Sequence, residues 1–496
     1  MDFLHDLLDE AVSKVPGKTA VITKGESITY KEIAMKSLQA ASYLKDNGIK
    51  KGDRVLILMD NSIPLLYLLF GISRIGGIAV VLNPQTSDYN LRYIIEDCSP
   101  SMLVVSHVAL VDSLSAEIKI ANIKNINLHM DEYDPTPFDS KCNLLPSDLA
   151  LLVYTSGSTG TPKAVMCPHK NIIFCTKAIS AELKIESSDV IGNFLPLSFD
   201  YGLYQVFISF ENHATLALES SFSSIELLKR IKDWNITVLP SLPHLTQGLI
   251  KLLLREKTPL SLRMLTNTGE HLPKETVHEL KDLLPDCKVY LMYGLTECKR
   301  VSILQPDEMA KEADSVGRPL QNVSCYVIDE NNQKVPPGTA GQLVVEGPNV
   351  MTGYWNNEEL TERVFRKTAE GYALYTGDFF RMDDDGYLYC IGRNDGVFKQ
   401  NGYRVSTREI EQAALRLEGI EQAAVLQPDA QFEYSMLFVQ TRISPSQIRQ
   451  KLKFVLEGYK LPPYIEVLDE FPLTNNGKID KNKLGNMRLK RGIKSV

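Results

Sequence analysis

The run Leu151-Leu152-Val153-Tyr154-Thr155-Ser156-Gly157-Ser158-Thr159-Gly160-Thr161-Pro162-Lys163 is the densest group of residues able to do chemistry. An apolar stretch with the character of a buried strand leads into a loop of Gly, Ser and Thr closed by a lysine. Glycines let backbone N–H groups approach a phosphate, hydroxyls add donors, and the Lys163 ammonium offsets polyphosphate charge. The spacing is not that of a Walker A loop, because GxxxxGK[ST] does not match. A Ser/Gly/Thr loop taken alone is more often a flexible turn; Lys163 and the preceding apolar strand bring a phosphate cradle level with that reading. Other candidates are similarly two-sided. Thr296-Glu297 after Gly294 offers a hydroxyl and a carboxylate, but by itself reads more readily as a helix start. Lys478 in Asn475-Asn476-Gly477-Lys478 reads by itself as a surface turn residue.

The elements that must hold these residues follow from the pattern of the whole chain. With 496 residues, two or more domains are expected. Hydrophobic residues at 44% and charged residues at 23% match a soluble globular protein. A net charge of -7 argues against a nucleic-acid partner. The longest apolar candidate for a membrane span, residues 55–72, is broken by Asp60, Asn61 and Pro64, so no membrane partner is expected. The N-terminus carries Asp2 and Asp6 where a signal peptide would carry bases; Phe3, Leu4, Leu7, Leu8, Ala11 and Val12 fit one face of a helix instead. The 8 cysteines form no CxxC pair and the 8 histidines no HxxxH pair. A reducing cytoplasm, buried thiols and, if any metal, a hard ion held by oxygen are the expectation.

Val55–Leu58, Ala79–Leu82 and Met102–Val105 read as buried strands and Ile63–Ile75 as a helix between the first two. Such alternation predicts an α/β fold of parallel sheets covered on both faces. A boundary is expected near Gly392-Arg393-Asn394-Asp395, dividing a large domain, residues 1–394, from a small α+β domain, residues 395–496. In the small domain the pattern predicts helices over Ser406–Glu418 and Ser444–Leu456. Strands are predicted over Gln422–Leu426, Ser435–Thr441 and Tyr464–Val467. After Asp480 the chain holds six Lys/Arg and no acid, which reads as a solvated end.

Taken in order, six segments resemble the signatures of the adenylate-forming superfamily: acyl-CoA synthetases, peptide-synthetase adenylation domains and luciferases. They are the Thr155–Lys163 loop, Tyr293-Gly294-Leu295-Thr296-Glu297, and Gly341-Gln342-Leu343 through Gly353-Tyr354-Trp355. Tyr375-Thr376-Gly377-Asp378 follows. Then come Gly392–Asp395 with Lys399, Gly402, Arg404 and Glu409-Ile410-Glu411, and finally Pro472–Lys478. The resemblance spans essentially the whole chain and is greatest to stand-alone amino acid:carrier-protein ligases. One departure is Ala164, where glycine is usual.

The resemblance implies ATP and Mg2+ as cofactors and an acyl-adenylate as the product of the first half-reaction. It places ATP on Thr155, Ser156, Gly157, Ser158, Thr159, Lys163, Tyr293, Asp378 and Arg393, with Gly269-Glu270 against the adenine. Asp378 would accept the ribose hydroxyls, Arg393 would share the ribose or a phosphate, Thr296 would meet the α-phosphate and Glu297 would hold Mg2+. Lys478 would be catalytic, bridging the attacking carboxylate and the α-phosphate so that their repulsion is offset before reaction. The small domain would then rotate about Asp395, a hinge, bringing Lys399 and Gly402 to the site, with Gly402 flooring a pantetheine tunnel.

For the acid, Leu195–Gly202 falls where amino-acid-activating members carry an Asp that pairs with the substrate ammonium; Asp200 matches it. An internal partner for Asp200, such as Arg300, is the competing reading. By the same resemblance Tyr201, Tyr204, Ser241, Thr266, Thr268, Met292, Arg300 and Val301 line the side-chain pocket. A small or cyclic amino acid such as proline is the first expectation, and an acidic one follows if Arg300 points inward unpaired. The acceptor would be a phosphopantetheine thiol on a separate carrier protein, which the basic tail could meet, because the chain has no GGxS site of its own. An acyl- or aryl-CoA ligase is the alternative.

Overall fold

The computed structural model describes residues 1–106, 118–133, 135, 143–156, 161–219, 224–256, 259–269, 272–312, 314–369, 371–393, 397–400, 403–429, 432–472 and 479–490. The chain divides into two compact units. The larger holds Met1–Pro84, Cys98–Tyr154 and Ala164–Gly392; the smaller holds Gln85–Asp97, Thr155–Lys163 and Arg393–Val496. The architecture is mixed α/β, with a large N-terminal and a small C-terminal part, as the alternating pattern predicts.

Two parallel-rich sheets dominate the large unit. The first runs in the order Ile120–Asn122, Met102–Val105, Arg54–Leu58, Ile78–Leu82, Leu149–Ser156 and Pro162–Pro168. Every residue of Ile78–Leu82 and Met102–Val105 is buried, which is why these runs are uniformly apolar rather than alternating. The intervening helix is Ile63–Arg74, one residue shorter than the pattern predicts.

The second sheet positions the site. Its strands β1 (Val190–Asn193), β2 (Thr215–Leu218), β3 (Val238–Ser241), β4 (Met264–Asn267) and β5 (Lys288–Tyr293) are parallel, and β6 (Ser302–Leu304) is antiparallel. The nine-stranded order is Arg318–Pro319, β6, β5, β4, β3, β1, β2, Thr19–Ile22 and Ser27–Thr29. Helix α1 (Asp200–Glu211) follows β1. A smaller sheet pairs β7 (Gly341–Glu346) with β8 (Tyr372–Met382).

The amphipathic N-terminus forms a helix over Asp6–Lys14, and Leu4, Leu7, Leu8 and Ala11 are buried. It packs beside His169, which is buried, and carries the half-buried His5 at its N-cap. The Leu4 N–H donates to His169 Nδ1 at 3.0 Å, so Nδ1 must remain unprotonated, while Nε2 has no partner among the described residues. Burial lowers both His169 and His5 to about 4 from an ordinary 6.5, reinforced by Arg74 at His5 and by His5 at His169; Asp6 opposes this at each ring. A folded-state value below the unfolded one means protons favour unfolding. The stabilisation is complete above about pH 6.5 and is lost as pH falls towards 4. The thermal midpoint is therefore expected to drop across that window, and His169→Gln to flatten the drop. A wild-type midpoint unchanged between pH 7 and 4.5 would contradict this.

In the small unit, α2 (Thr407–Leu415), β9 (Ile420–Leu426), β10 (Met436–Thr441), α3 (Pro445–Leu452) and β11 (Tyr464–Leu468) build a three-stranded sheet, order β9-β10-β11, with covering helices. All five predicted elements are present. The second helix ends four residues early, because the chain tightens into turns at Lys453 and Phe454. Lys460 is buried between Glu409 (2.7 Å) and Glu457 (2.8 Å), and Asn90 Nδ2 donates to Glu457 at 2.7 Å. This network ties the segment Gln85–Asp97 into the small unit. Among the described residues no helix is long and apolar enough to cross a membrane. Five described cysteines are buried, as expected of thiols used as small apolar groups.

Candidate active site

In a parallel sheet, ligands bind beyond the carboxyl ends of the strands. Ser241 ends β3, Thr266 and Asn267 end β4 with Thr268 and Gly269 following, and Met292 and Tyr293 end β5. Asp200 opens α1 just beyond β1, where the helix N-terminus favours negative charge. The large unit thus brings Asp200, Tyr201, Tyr204, Ser241, Thr268, Gly269, Met292, Tyr293, Thr296, Glu297, Arg300, Val301 and Asp378 into its own fold around one sheet end or the adjoining smaller sheet.

The nucleotide-side candidates are tightly held. Asp378 is 6% exposed, and its Oδ2 accepts from the Tyr293 hydroxyl at 2.5 Å. The Asp378 N–H donates to Thr376 Oγ1 at 3.1 Å, and Thr376 in turn donates to the Leu343 carbonyl on β7 at 2.7 Å. Gly377 between them has φ +73°, the left-handed turn that the glycine of the motif permits. Burial, then Asp378, pushes the Tyr293 phenol far up, so it stays a donor. Glu297 Oε1 accepts from the Tyr354 hydroxyl at 2.7 Å, a role for the Gly-Tyr-Trp motif that its spacing does not disclose.

Arg300, expected on the acid side, has a second cation, Lys299, next to it. Gly294 passes so close beneath Lys299 that a Cβ would lie 1.9 Å from the Lys299 carbonyl oxygen. Asn349 Nδ2 donates to the carbonyls of Cys298 (3.2 Å) and Arg300 (3.0 Å), and Lys299 sits at φ +57°, a left-handed conformation that lysine rarely adopts. Together these contacts turn two consecutive cations inward. Lys299 is 3% exposed and Arg300 6%. Arg300 donates to Thr268 Oγ1 at 2.5 Å and lies 5.5 Å above the Tyr201 ring, whose hydroxyl is fixed by Thr266. Its Nε has no hydrogen-bond partner among the described residues; Lys299 Nζ has no carboxylate or carbonyl against it, only the Cys167 thiol nearby, and lies 5.7 Å from the Tyr204 ring centroid.

No ion pair joins Asp200 to Arg300 among the described residues; the internal pairing weighed from the sequence is absent, because Arg300 is committed to Thr268 and Tyr201. Asp200 does act on both cations through space. Burial works to discharge Lys299, but Cys167 and Asp200 outweigh it and hold the ammonium above the usual lysine value. Lys299 was not a candidate in the sequence. The signal was there in the charged doublet Lys299-Arg300 set between Cys298 and the apolar strand β6.

The remaining predicted residues divide otherwise. Thr155, Lys163 and Lys399 belong to the small unit. Thr155 Oγ1 is buried with no partner among the described residues, an orphan hydroxyl that fits a phosphate. Ser156 ends its strand. Lys399 lies on the hairpin Val397–Gln400/Tyr403–Ser406, opposite Arg404. Gly157, Ser158, Thr159, Glu270, Asp395, Gly402 and Lys478 lie outside the described residues, as does the Arg393 side chain.

The family model described as AMP-binding enzyme matches residues 8–355, and that described as AMP-binding enzyme C-terminal domain matches 409–478. The chain belongs to the AMP-binding enzyme family. As a member it is an adenylate-forming enzyme that activates a carboxylic acid. Among its relatives is gramicidin S synthase 2 of Aneurinibacillus migulanus, 30% identical over 492 residues; these are 97% of this chain but 11% of that protein's length. Solved structures of VinN are also similar. One of VinN alone has 33% identity and TM-score 0.75 over 79% of this chain and 98% of that one. One of VinN with L-aspartate has 32% identity and TM-score 0.72 over 79% and 100%. The o-succinylbenzoate CoA synthetase of Bacillus subtilis, at 24% identity, shares the fold, with TM-score 0.84 over 97% and 98%.

Proposed function

We propose that this enzyme adenylates an amino acid bearing a second carboxylate, aspartate or a substituted aspartate, and passes the aminoacyl group to a carrier-protein phosphopantetheine thiol. The observation that carries the reading is the pair of inward, incompletely partnered cations, Lys299 and Arg300. Two buried cations against one half-buried carboxylate, Asp200, leave a net positive pocket. Such a pocket is costly when empty and selective for an anion. The substrate ammonium would pair with Asp200 and its second carboxylate with Lys299 and Arg300. The similarity to a protein solved with L-aspartate supports the same choice. A neutral ring such as proline would leave both cations without an anion.

The other roles follow the family motifs. Asp378 would take the ribose hydroxyls with Tyr293 holding its carboxylate. Mg2+ is commonly held by one or two carboxylates together with phosphates, and a single buried Glu297 suits that donor set. Bound there it would neutralise phosphate charge. Lys163 and Thr155 would meet the phosphates, and Lys478 the reacting carboxylate. Transfer to the thiol would use Lys399 of the small unit together with Gly402, with Asp395 as hinge.

Pyrophosphate exchange into ATP, screened over amino acids, dicarboxylic amino acids, fatty acids and aryl acids, tests the reading. Exchange with aspartate-type acids is expected. Exchange confined to fatty or aryl acids would replace it with an acyl- or aryl-CoA ligase.

A further inference from the structure

The small unit carries a surface that neither its core nor the adenylation chemistry uses. Helix α3 opens with a capping box, Ser444 with Gln447, and buries Ile448 and Leu452 in the unit's core beside Leu456. Its other side and the turn that follows face outward. The Lys451 and Lys453 side chains are exposed, as is Arg442 just before the helix, and none of the three has an ion pair among the described residues. Phe454 is 79% exposed, more than any other described large hydrophobic side chain. Its N–H donates to the Lys451 carbonyl at 3.2 Å, which fixes the ring's turn next to the lysines. From Thr441 to Phe454 the chain holds Arg442, Arg449, Lys451 and Lys453 and no acid, although its net charge is -7.

We propose that this face docks an acidic amphipathic helix of the carrier protein that receives the aminoacyl group, an inference that rests on the thiol-transfer reading above. A lone exposed apolar side chain needs no partner, but an exposed aromatic side chain in a turn next to unpaired lysines fits an anchor beside a charged interface rim. The cations meet acidic side chains along the partner helix, and the ring meets its apolar ridge. The lysines set encounter rate and orientation, and Phe454 slows dissociation. A nucleic acid or anionic membrane is disfavoured because the chain as a whole repels a polyanion.

The test is the loading of phosphopantetheine-bearing carrier proteins, with free pantetheine as the second acceptor. The double variant Lys451→Glu/Lys453→Glu, and separately Phe454→Ala, is expected to lower kcat/KM for carrier loading roughly tenfold or more. Thioester formation on free pantetheine and pyrophosphate exchange should stay at wild-type rates. Reversing one acidic residue of the carrier helix to lysine should restore part of the loading by the double variant. Carrier loading unchanged in both variants overturns the docking face alone, as does an equal loss on free pantetheine. Binding of the wild type to phosphatidylglycerol vesicles that the double variant loses, with carrier loading intact, also overturns it. A wild-type enzyme that makes its adenylate but loads no carrier overturns the thiol-transfer reading, and the docking face with it.

Discussion

Replacing Lys299 and Arg300 together by methionine is expected to abolish adenylation of a dicarboxylic amino acid while leaving the protein folded. A buried carboxylate that loses its cationic partner costs about 3–5 kcal/mol, or roughly 10²- to 10⁴-fold per cation. The double variant should therefore fall by at least three orders of magnitude in kcat/KM for pyrophosphate exchange. Stability should move the other way. Each cation has a nitrogen without a carboxylate or carbonyl partner among the described residues, and replacing such groups with apolar side chains of similar volume is often neutral or stabilising. A thermal midpoint at or above wild type, with exchange lost, marks the pair as substrate-reading. A falling midpoint with activity lost only in proportion would assign the pair a structural role. The single variants should be ordered, with Arg300→Met losing more, because its planar fork can grip a carboxylate with two bonds and Lys299 with one.

Lys478→Ala is expected to lower the first half-reaction by about 10²- to 10³-fold, the effect of removing one preorganised charge from a developing transition state. The second half-reaction should survive. When the aminoacyl-adenylate is supplied ready-made, thioester formation should remain within a few-fold of wild type, since no α-phosphate attack remains to be catalysed. Lys399→Ala should give the reverse pattern, with exchange intact and thioester formation slowed. Equal losses in both half-reactions for both variants would contradict the division of labour between the two lysines.

Much of this was legible in sequence because it is carried by local rules. The buried strands are unbroken apolar runs, and the glycine turn before Asp378 and the close approach at Gly294 are written as glycines. The helix ends were less legible. The apolar pattern continues through Val455 and Leu456 into the core, but the backbone has already left the helix at Lys453. Lys299 was least legible. Its inward direction depends on a left-handed backbone angle and on Asn349, fifty residues away, holding the flanking carbonyls. Neither has a periodic signature. The Asn90–Glu457–Lys460 network is hidden for the same reason: its members are far apart in sequence and unremarkable one by one.

The inward doublet is the centre of the account, and one comparison isolates it. Aspartate and asparagine differ by one charge at almost equal volume. The ratio of their kcat/KM values in pyrophosphate exchange reads whether Lys299 and Arg300 bind a carboxylate. A preference for aspartate of about 10³-fold or more is predicted, from the penalty of burying cations without an anion. A ratio near one, or exchange with proline exceeding exchange with aspartate, would contradict it.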